Sequence, residues 1–258
     1  MCKFKSGLIF KNKVVLAPMY NDSHSSLLEV LGVEDSRSNA MRRFVRAELV
    51  PPDNNVLDDV DNWKFVVDQD IVPGWFEEDP KRYEQEFRNA VKEFVKDRFV
   101  LMAGVIWVKI KEDSLGSYYL KYDRLTRMEF GNSNDYSESD VRNYLKTCDL
   151  MKKLKEELGD RLVPITTDLL SLDGLDDYGK ADGDFLSLLT VDLYRECKKN
   201  ITNLDNWWWL ASPYSTKSNG YSRSVSCVYS VGTLDRRGCG GSFGVRPFCI
   251  VSSSISVS

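Results

Sequence analysis

The 258-residue chain has a single histidine, His24, and no Cys-x-x-Cys pair among its six cysteines, Cys2, Cys148, Cys197, Cys227, Cys239 and Cys249. Zinc sites draw on closely spaced cysteine and histidine ligands, so this spacing argues against an ordinary one. The scattered thiols read as free, as expected in a chain without an export signal. No apolar run reaches the roughly eighteen residues that a membrane span requires. The opening Met1-Cys2-Lys3-Phe4-Lys5-Ser6-Gly7 lacks the apolar stretch of a secretory signal. A strong excess of one charge is missing too: the formal net charge is −4 and the pI about 5.3. That balance argues against a general grip on phosphates and leaves room for a local basic patch.

What is there is ordinary globular material. With 42% hydrophobic and 29% charged residues, the chain has enough apolar area for one large core or two smaller ones. Residues 1–100 read as an α+β unit. Gly7-Leu8-Ile9-Phe10 and Val14-Val15-Leu16-Ala17 form strands around a polar turn. A helix capped by Ser23 is expected over residues 26–31. Residues 44–50 alternate as a half-buried strand, and residues 63–68 form another. Residues 80–98 make the clearest helix, with Pro80 at its first position and Tyr83, Phe87, Val91, Phe94 and Val95 on one stripe. In the second block, residues 105–110 and 118–120 read as strands joined through Gly116. Ser137 or Ser139 starts a helix through Cys148, residues 150–158 continue it to Gly159, and a short helix is expected within residues 186–199.

Several constellations invite chemistry, and each has a plainer reading. Asp68, Asp70, Glu77, Glu78 and Asp79 could serve acid/base work or a hard cation, but their spacing matches no calcium loop and acids commonly cap a helix start. His24 beside Ser23 and Ser25 has no nucleophile elbow around it, so a polar cap is preferred to a hydrolase. The Asp- and Gly-rich residues 173–184 could hold calcium, yet the EF-hand spacing and its terminal Glu are absent. Turn chemistry is the better account. Gly238-Cys239-Gly240-Gly241-Ser242 is followed by neither Lys-Ser/Thr nor a helix pattern, so it is no phosphate loop. Cys227 and Cys239 are the cysteine pair that adjacent strands could bring together.

The final fifty residues differ from all of these. Trp207-Trp208-Trp209-Leu210-Ala211-Ser212-Pro213 and Gly244-Val245-Arg246-Pro247-Phe248 enclose a stretch of Ser, Gly, Tyr, Cys, Arg and Asn. On a strand, Trp207 and Trp209 share one face and Trp208 takes the other. Val225, Cys227 and Tyr229 then oppose Ser224, Ser226 and Val228. Val245, Pro247 and Cys249 alternate with Arg246, Phe248 and Ile250 to end the sheet.

This pattern, with Val228-Tyr229-Ser230-Val231-Gly232 inside it, resembles a widespread bacterial and phage domain of C-type-lectin-like fold. Variable proteins diversified by retroelements carry this kind of ending, and the formylglycine-generating, sulfatase-modifying fold is a more distant relative. The resemblance covers residues 103–251 and implies that Leu169-Leu170-Ser171-Leu172 is a buried strand. Residues 44–49 and 67–73 resemble a module of phage and prophage proteins. In the diversified relatives, adenine-directed mutagenesis before the closing motif yields mostly Asn, Ser, Gly, Arg, Tyr, Cys and Asp. Carried over, the ligand-facing residues are Tyr214, Asn219, Tyr221, Arg223, Ser224, Ser226, Tyr229, Asp235, Arg236, Arg237 and Cys239, whereas Trp208 and Arg246 belong to the framework. Tyr, Ser, Gly and Arg also suit recognition physically, through large rigid contacts, adaptability and planar donors.

The resulting expectation is an α+β protein in two parts. A smaller α+β module, residues 1–100, precedes a C-type-lectin-like ligand-binding domain, residues 101–258. The second part displays residues 214–242 to a protein or cell-surface ligand, without catalysis, cofactor, metal, nucleic acid or membrane insertion. Homo-oligomerisation stays open. So does location: cytoplasmic as synthesised, with a phage virion or export without a recognisable signal as alternatives. The competing readings are an enzyme of the formylglycine-generating type that uses Cys227 and Cys239, and a structural phage or prophage component.

Overall fold

The computed structural model of the chain describes residues 3–10, 13–19, 47–50, 52, 56–67, 80–96, 98–201, 204, 206–230 and 232–252. Contacts divide the chain into two units, Met1–Arg98 and Phe99–Ser258. The architecture is mixed α+β, with sheets predominating over a few helices.

The first unit carries an antiparallel sheet of β1 (Lys3–Phe10), β2 (Lys13–Met19), β3 (Ala47–Val50) and β4 (Lys64–Val67), in that order. Helix α1 (Pro80–Val95) packs against β1, β2 and the 3-10 turn Val60–Asn62. From its expected apolar stripe, Val91 is fully buried. Arg88 fastens the turn: its Nη1 donates to the carbonyls of Val60 and Trp63, both at 2.8 Å, while Glu84 one turn earlier receives Nε and Nη2. A guanidinium suits this task because its planar fork serves several acceptors at once. The helix expected over residues 26–31, His24, and the cluster Asp68, Asp70, Glu77, Glu78 and Asp79 lie outside the described residues.

The second unit runs β5 (Phe99–Met102), β6 (Val105–Asp113), β7 (Gly116–Lys121), β8 (Thr126–Met128), α2 (Asp140–Thr147), α3 (Asp149–Leu158), β9 (Leu162–Val163), β10 (Ile165–Asp168), β11 (Lys180–Asp184), α4 (Val191–Cys197), β12 (Trp208–Pro213), β13 (Ser224–Val228), β14 (Leu234–Gly238), β15 (Phe243–Val245) and β16 (Phe248–Val251). Its strands form two five-stranded sheets, ordered β5-β6-β7-β16-β9 and β14-β13-β12-β15-β8, with β10 and β11 as a separate pair. Helix starts follow capping chemistry. The Oγ of Ser139, one of the two expected starters, accepts from the Arg142 amide, and Thr190 caps α4 in the same way.

The sheets are buried on both faces. Trp107, Phe130, Trp209, Val225, Cys227 and Cys249 gather with Val141, Leu145 and Leu154 of α2 and α3. Val108, Ile110, Leu120, Trp208, Leu210, Phe248 and Ile250 gather with Tyr194 of α4. Adjacent Trp208 and Trp209 thus enter different clusters, as strand alternation requires, and Trp207 packs on the side of Trp209. Fully burying an indole contributes on the order of 2–3 kcal/mol.

Two expectations need correction. Leu169-Leu170-Ser171-Leu172 is a loop and not a buried strand: Leu170 and Leu172 are exposed, and its backbone bonds locally, Ser171 N to Leu175 O, and sideways, Leu172 N to Pro213 O. Nor does the closing motif end a single sheet. β15 lies beside β12 and β8, whereas β16 lies between β7 and β9 in the other sheet. Arg246 and Pro247 are the crossing between the sheets.

Each motif residue has a job there. The Gly244 amide donates to Trp207 O at 2.9 Å, so close that a β-carbon on Gly244 would lie 3.1 Å from that oxygen. Pro247 has no amide to satisfy, and its carbonyl accepts from Lys121. The buried Arg246 guanidinium donates to Lys121 O at 2.8 Å and Tyr122 O at 2.9 Å and lies over the Trp208 ring. Those carbonyls belong to the other crossing, the β7–β8 connection, so one side chain stitches both. Burial pulls the guanidinium down to about 9, and Asp123 opposes the shift. Arg246→Lys keeps a cation but loses the fork, stranding a buried carbonyl. It is expected to cost about 2–4 kcal/mol in urea unfolding. A loss under about 1 kcal/mol would show that the stitch is not structural.

Candidate functional site

The stretch between β12 and β13 is irregular yet tied down at every turn. Tyr214 N donates to Ser224 O at 3.0 Å, closing its neck. Asn134, fully buried, reaches in from the other side. Its Nδ2 lies within bonding distance of the carbonyls of Ser215 (2.7 Å), Tyr221 (2.8 Å) and Ser224 (2.9 Å), one of its two hydrogens being shared, and its Oδ1 accepts from Tyr178 Oη at 2.8 Å. That set of three acceptors and one donor assigns the orientation of the amide. Asn134 N also donates to Ser222 O.

The Asp- and Gly-rich loop supplies the third tie. Asp173 accepts from Ser171 Oγ (2.5 Å), Ser215 Oγ (2.6 Å) and Asn219 Nδ2 (3.3 Å). Asp177 accepts from the hydroxyls of Thr216 and Ser218, and Tyr178 Oη accepts from Lys217 N. Hydroxyl donors hold both carboxyls below the usual range, Ser171 most strongly for Asp173 and Ser218 for Asp177. These carboxylates are occupied in holding residues 215–219. Among the described residues no three His, Cys, Asp or Glu side chains converge as a metal cluster.

Of the sequence-derived ligand residues, Asn219, Tyr221, Arg223, Tyr229, Asp235 and Arg236 are exposed, and Tyr214, Ser224 and Arg237 are half-buried. Ser226 and Cys239 are corrections: both are buried and cannot be displayed. Ser226 lies within β13, covered on both sides by neighbouring strands, and Cys239 faces the cluster around Trp209. Asn219 is exposed but spends its amide on Asp173 and Ser215.

Six of the other residues, all but Arg223 and Ser224, gather in two groups, set by strand alternation on β14. Arg236 stands opposite Ser226, whereas Asp235 and Arg237 stand opposite Cys227 and Val225, so they project to the other face. On the first face the Arg236 guanidinium lies 4.0 Å from the Tyr214 ring centre, and Tyr214 meets Tyr221 edge-on at 6.4 Å. On the second face Arg237 lies 3.8 Å over Trp207, is ion-paired with Asp235 at 3.1 Å, and shares that indole with Tyr229 at 4.4 Å. Trp207 is the surface residue that sequence reasoning missed. Asn134 and Tyr178 are missed supports, and nothing in Gly131-Asn132-Ser133-Asn134-Asp135 distinguishes the second Asn from ordinary capping residues.

β14 is also an edge strand. The bonded pairs Tyr229–Thr233 and Arg223–Cys239 flank its ladder, which points the N–H and C=O of Arg236 away from β13. Neither is left open. The amide donates to Asp235 Oδ1 at 2.7 Å, and the carbonyl accepts from Arg237 Nη1 at 2.9 Å.

The two cysteines considered as a reactive pair are not opposite one another: Cys227 faces Asp235, while Cys239 lies beyond the end of β14. Both are free. Burial pushes the Cys227 thiol up to about 12 and the Cys239 thiol up to about 11, which keeps both protonated near neutral pH.

A family model described as a domain of unknown function (DUF6273) matches residues 155–253. This stretch begins within α3 and runs past β16, so it includes the tryptophan run, the surface segment and the closing motif. No curated protein and no solved structure matches the chain.

Two outcomes are expected. Asn134→Ala should cost about 2–3 kcal/mol by orphaning buried carbonyls. It should also raise amide exchange across residues 214–224 while α2 stays protected. Asp235→Ala combined with Arg237→Ala uncaps the β14 edge, and light scattering should then show concentration-dependent self-association beyond that of the parent. A double variant that remains as dispersed as the parent would refute the capping role.

Proposed function

We propose that the chain is a binding and display protein. Its second unit is a C-type-lectin-like domain of the kind carried by retroelement-diversified variable proteins of phages or bacteria. Its ligand is a protein or a cell-surface molecule, met through the exposed residues of 214–242, and no catalysis is involved. The observation that carries this reading is the division of labour within one continuous segment. Trp208, Trp209, Gly244 and Arg246 are buried framework, while Tyr221, Arg223, Tyr229, Asp235 and Arg236 between them are exposed. A loop tied by Asn134, Asp173 and Asp177 also favours recognition, because ordering before binding lowers the entropy lost on association. The protonated, buried thiols weigh against an enzyme that uses Cys227 and Cys239.

The framework–surface division is testable without knowing the ligand. A library that randomises Tyr221, Arg223, Tyr229 and Arg236 together should keep the parent melting behaviour in most members, since exposed sites usually change stability by about 0.5 kcal/mol or less. Substitutions at Trp209 or Gly244 should unfold the second unit. Broad loss of folding in the surface library would sink the reading. Diversification itself requires a near-copy of the coding segment for residues 214–246 beside a reverse transcriptase gene. Its absence would rule out active diversification.

A further inference from the structure

The two arginines of β14 are adjacent in sequence but opposite in use. Arg237 has its charge met by Asp235, its Nη1 on the Arg236 carbonyl and its plane on Trp207. Arg236 has only the Tyr214 ring beneath it. Its five N–H donors meet no acceptor among the described residues, and the group rests on a ring and not on a carboxylate. An exposed arginine oriented in this way is prepared for a planar, two-oxygen acceptor. Tyr214, which it overlies, meets Tyr221 edge-on, and Tyr221 is 52% exposed.

The field around this cluster has a sign. Residues 214–242 hold four cations, Lys217, Arg223, Arg236 and Arg237, against Asp235 within the segment and Asp173 and Asp177 bonded to it, an excess of one positive charge on a chain whose net charge is −4. A local basic patch on an acidic protein favours an acidic partner and steers its approach. Main-chain strand addition is blocked at the centre of β14, because the outward N–H and C=O of Arg236 are already capped. Nucleic acid fits less well. Arg236 covers one face of Tyr214, which leaves less ring for a base to stack on, and a segment with so small a positive excess cannot neutralise a run of phosphates.

We propose that the Tyr214–Tyr221–Arg236 cluster docks an acidic segment of a partner protein, with Arg236 as the anchor that takes an Asp or Glu carboxylate through its paired donors. This rests on the binding-protein reading above and names the partner's chemistry. The two tyrosines supply apolar walls that shed water around the ion pair, which strengthens it relative to an open surface pair.

The test uses the full chain and a displayed random peptide library selected at physiological ionic strength. Recovered peptides are expected to be enriched in Asp and Glu. In fluorescence anisotropy they should lose at least about tenfold in affinity for Arg236→Ala, equivalent to about 1.4 kcal/mol. Arg236→Lys should recover only part of the loss, because an ammonium lacks the planar fork. Replacing the peptide's Glu by Gln should match the Arg236→Ala effect and remove further sensitivity to that variant. Unchanged melting of Arg236→Ala separates binding from folding. Peptides without acidic enrichment, or peptides indifferent to Arg236, overturn the acidic-partner proposal. If those same peptides still lose binding with Tyr214→Ala plus Tyr221→Ala, the broader binding reading survives. Recovery of no peptide that depends on either tyrosine overturns both. Tighter binding of a thymidine oligonucleotide than of any recovered peptide overturns the proposal in favour of nucleic acid.

Discussion

The second unit depends on one buried cation. Two strand pairs leave one five-stranded sheet for the other side by side, β7 to β8 and β15 to β16, and each crossing frees backbone groups that no ladder can satisfy. Arg246 lies on one crossing and donates to the carbonyls of the other. A charge with no exposed surface is costly to desolvate, so it persists only where hydrogen bonds and a π face replace water. Here Lys121 O, Tyr122 O and the Trp208 ring do so. An aliphatic side chain could fill the volume but could not serve the carbonyls. This explains why the motif pairs Arg with Pro: the residue that lacks an amide follows the residue that supplies extra donors.

From that stitch the surface follows. β12 is fixed between β13 and β15, and its two central indoles are committed to opposite clusters. The chain leaving β12 at Pro213 is then captured by Asn134 and by Asp173 and Asp177, all from elements outside the two strands it joins. These ties engage backbone carbonyls and short hydroxyls and make few demands on the long side chains. Tyr221 and Arg223 are therefore held in place by a loop whose conformation does not depend on their identity. A scaffold of this type tolerates exchange at the tips, which is the physical requirement for a recognition surface that varies.

Part of this was legible in the sequence for clear reasons. A period of two is strong enough to place Trp208 and Trp209 on opposite faces, and Ser139 is a helix start because its hydroxyl meets a free amide three residues on. Other parts were not legible. Leu169-Leu170-Ser171-Leu172 has the composition of a buried strand, yet Leu172 bonds sideways to Pro213 and leaves its side chain exposed, a tertiary choice that no local pattern carries. Ser226 and Cys239 share composition with their displayed neighbours, and only the position of β13 inside a sheet buries the first. Asn134 acts on residues about eighty to ninety positions away, a distance at which sequence periodicity is silent.

The β14 edge shows how one segment can be both open and protected. An exposed edge strand invites indiscriminate pairing, and proteins blunt it with charge. Here the ion pair Asp235–Arg237 spans the outward N–H and C=O of the residue between its members. Backbone pairing, which any extended chain could exploit, is thereby closed at the middle of the strand, while the Arg236 side chain lies on the opposite face from the capping pair. Contact with this strand must then pass through side chains, where identity matters. For any protein, specificity arises in part from what is refused, and a capped backbone offers less of the pairing that depends least on sequence.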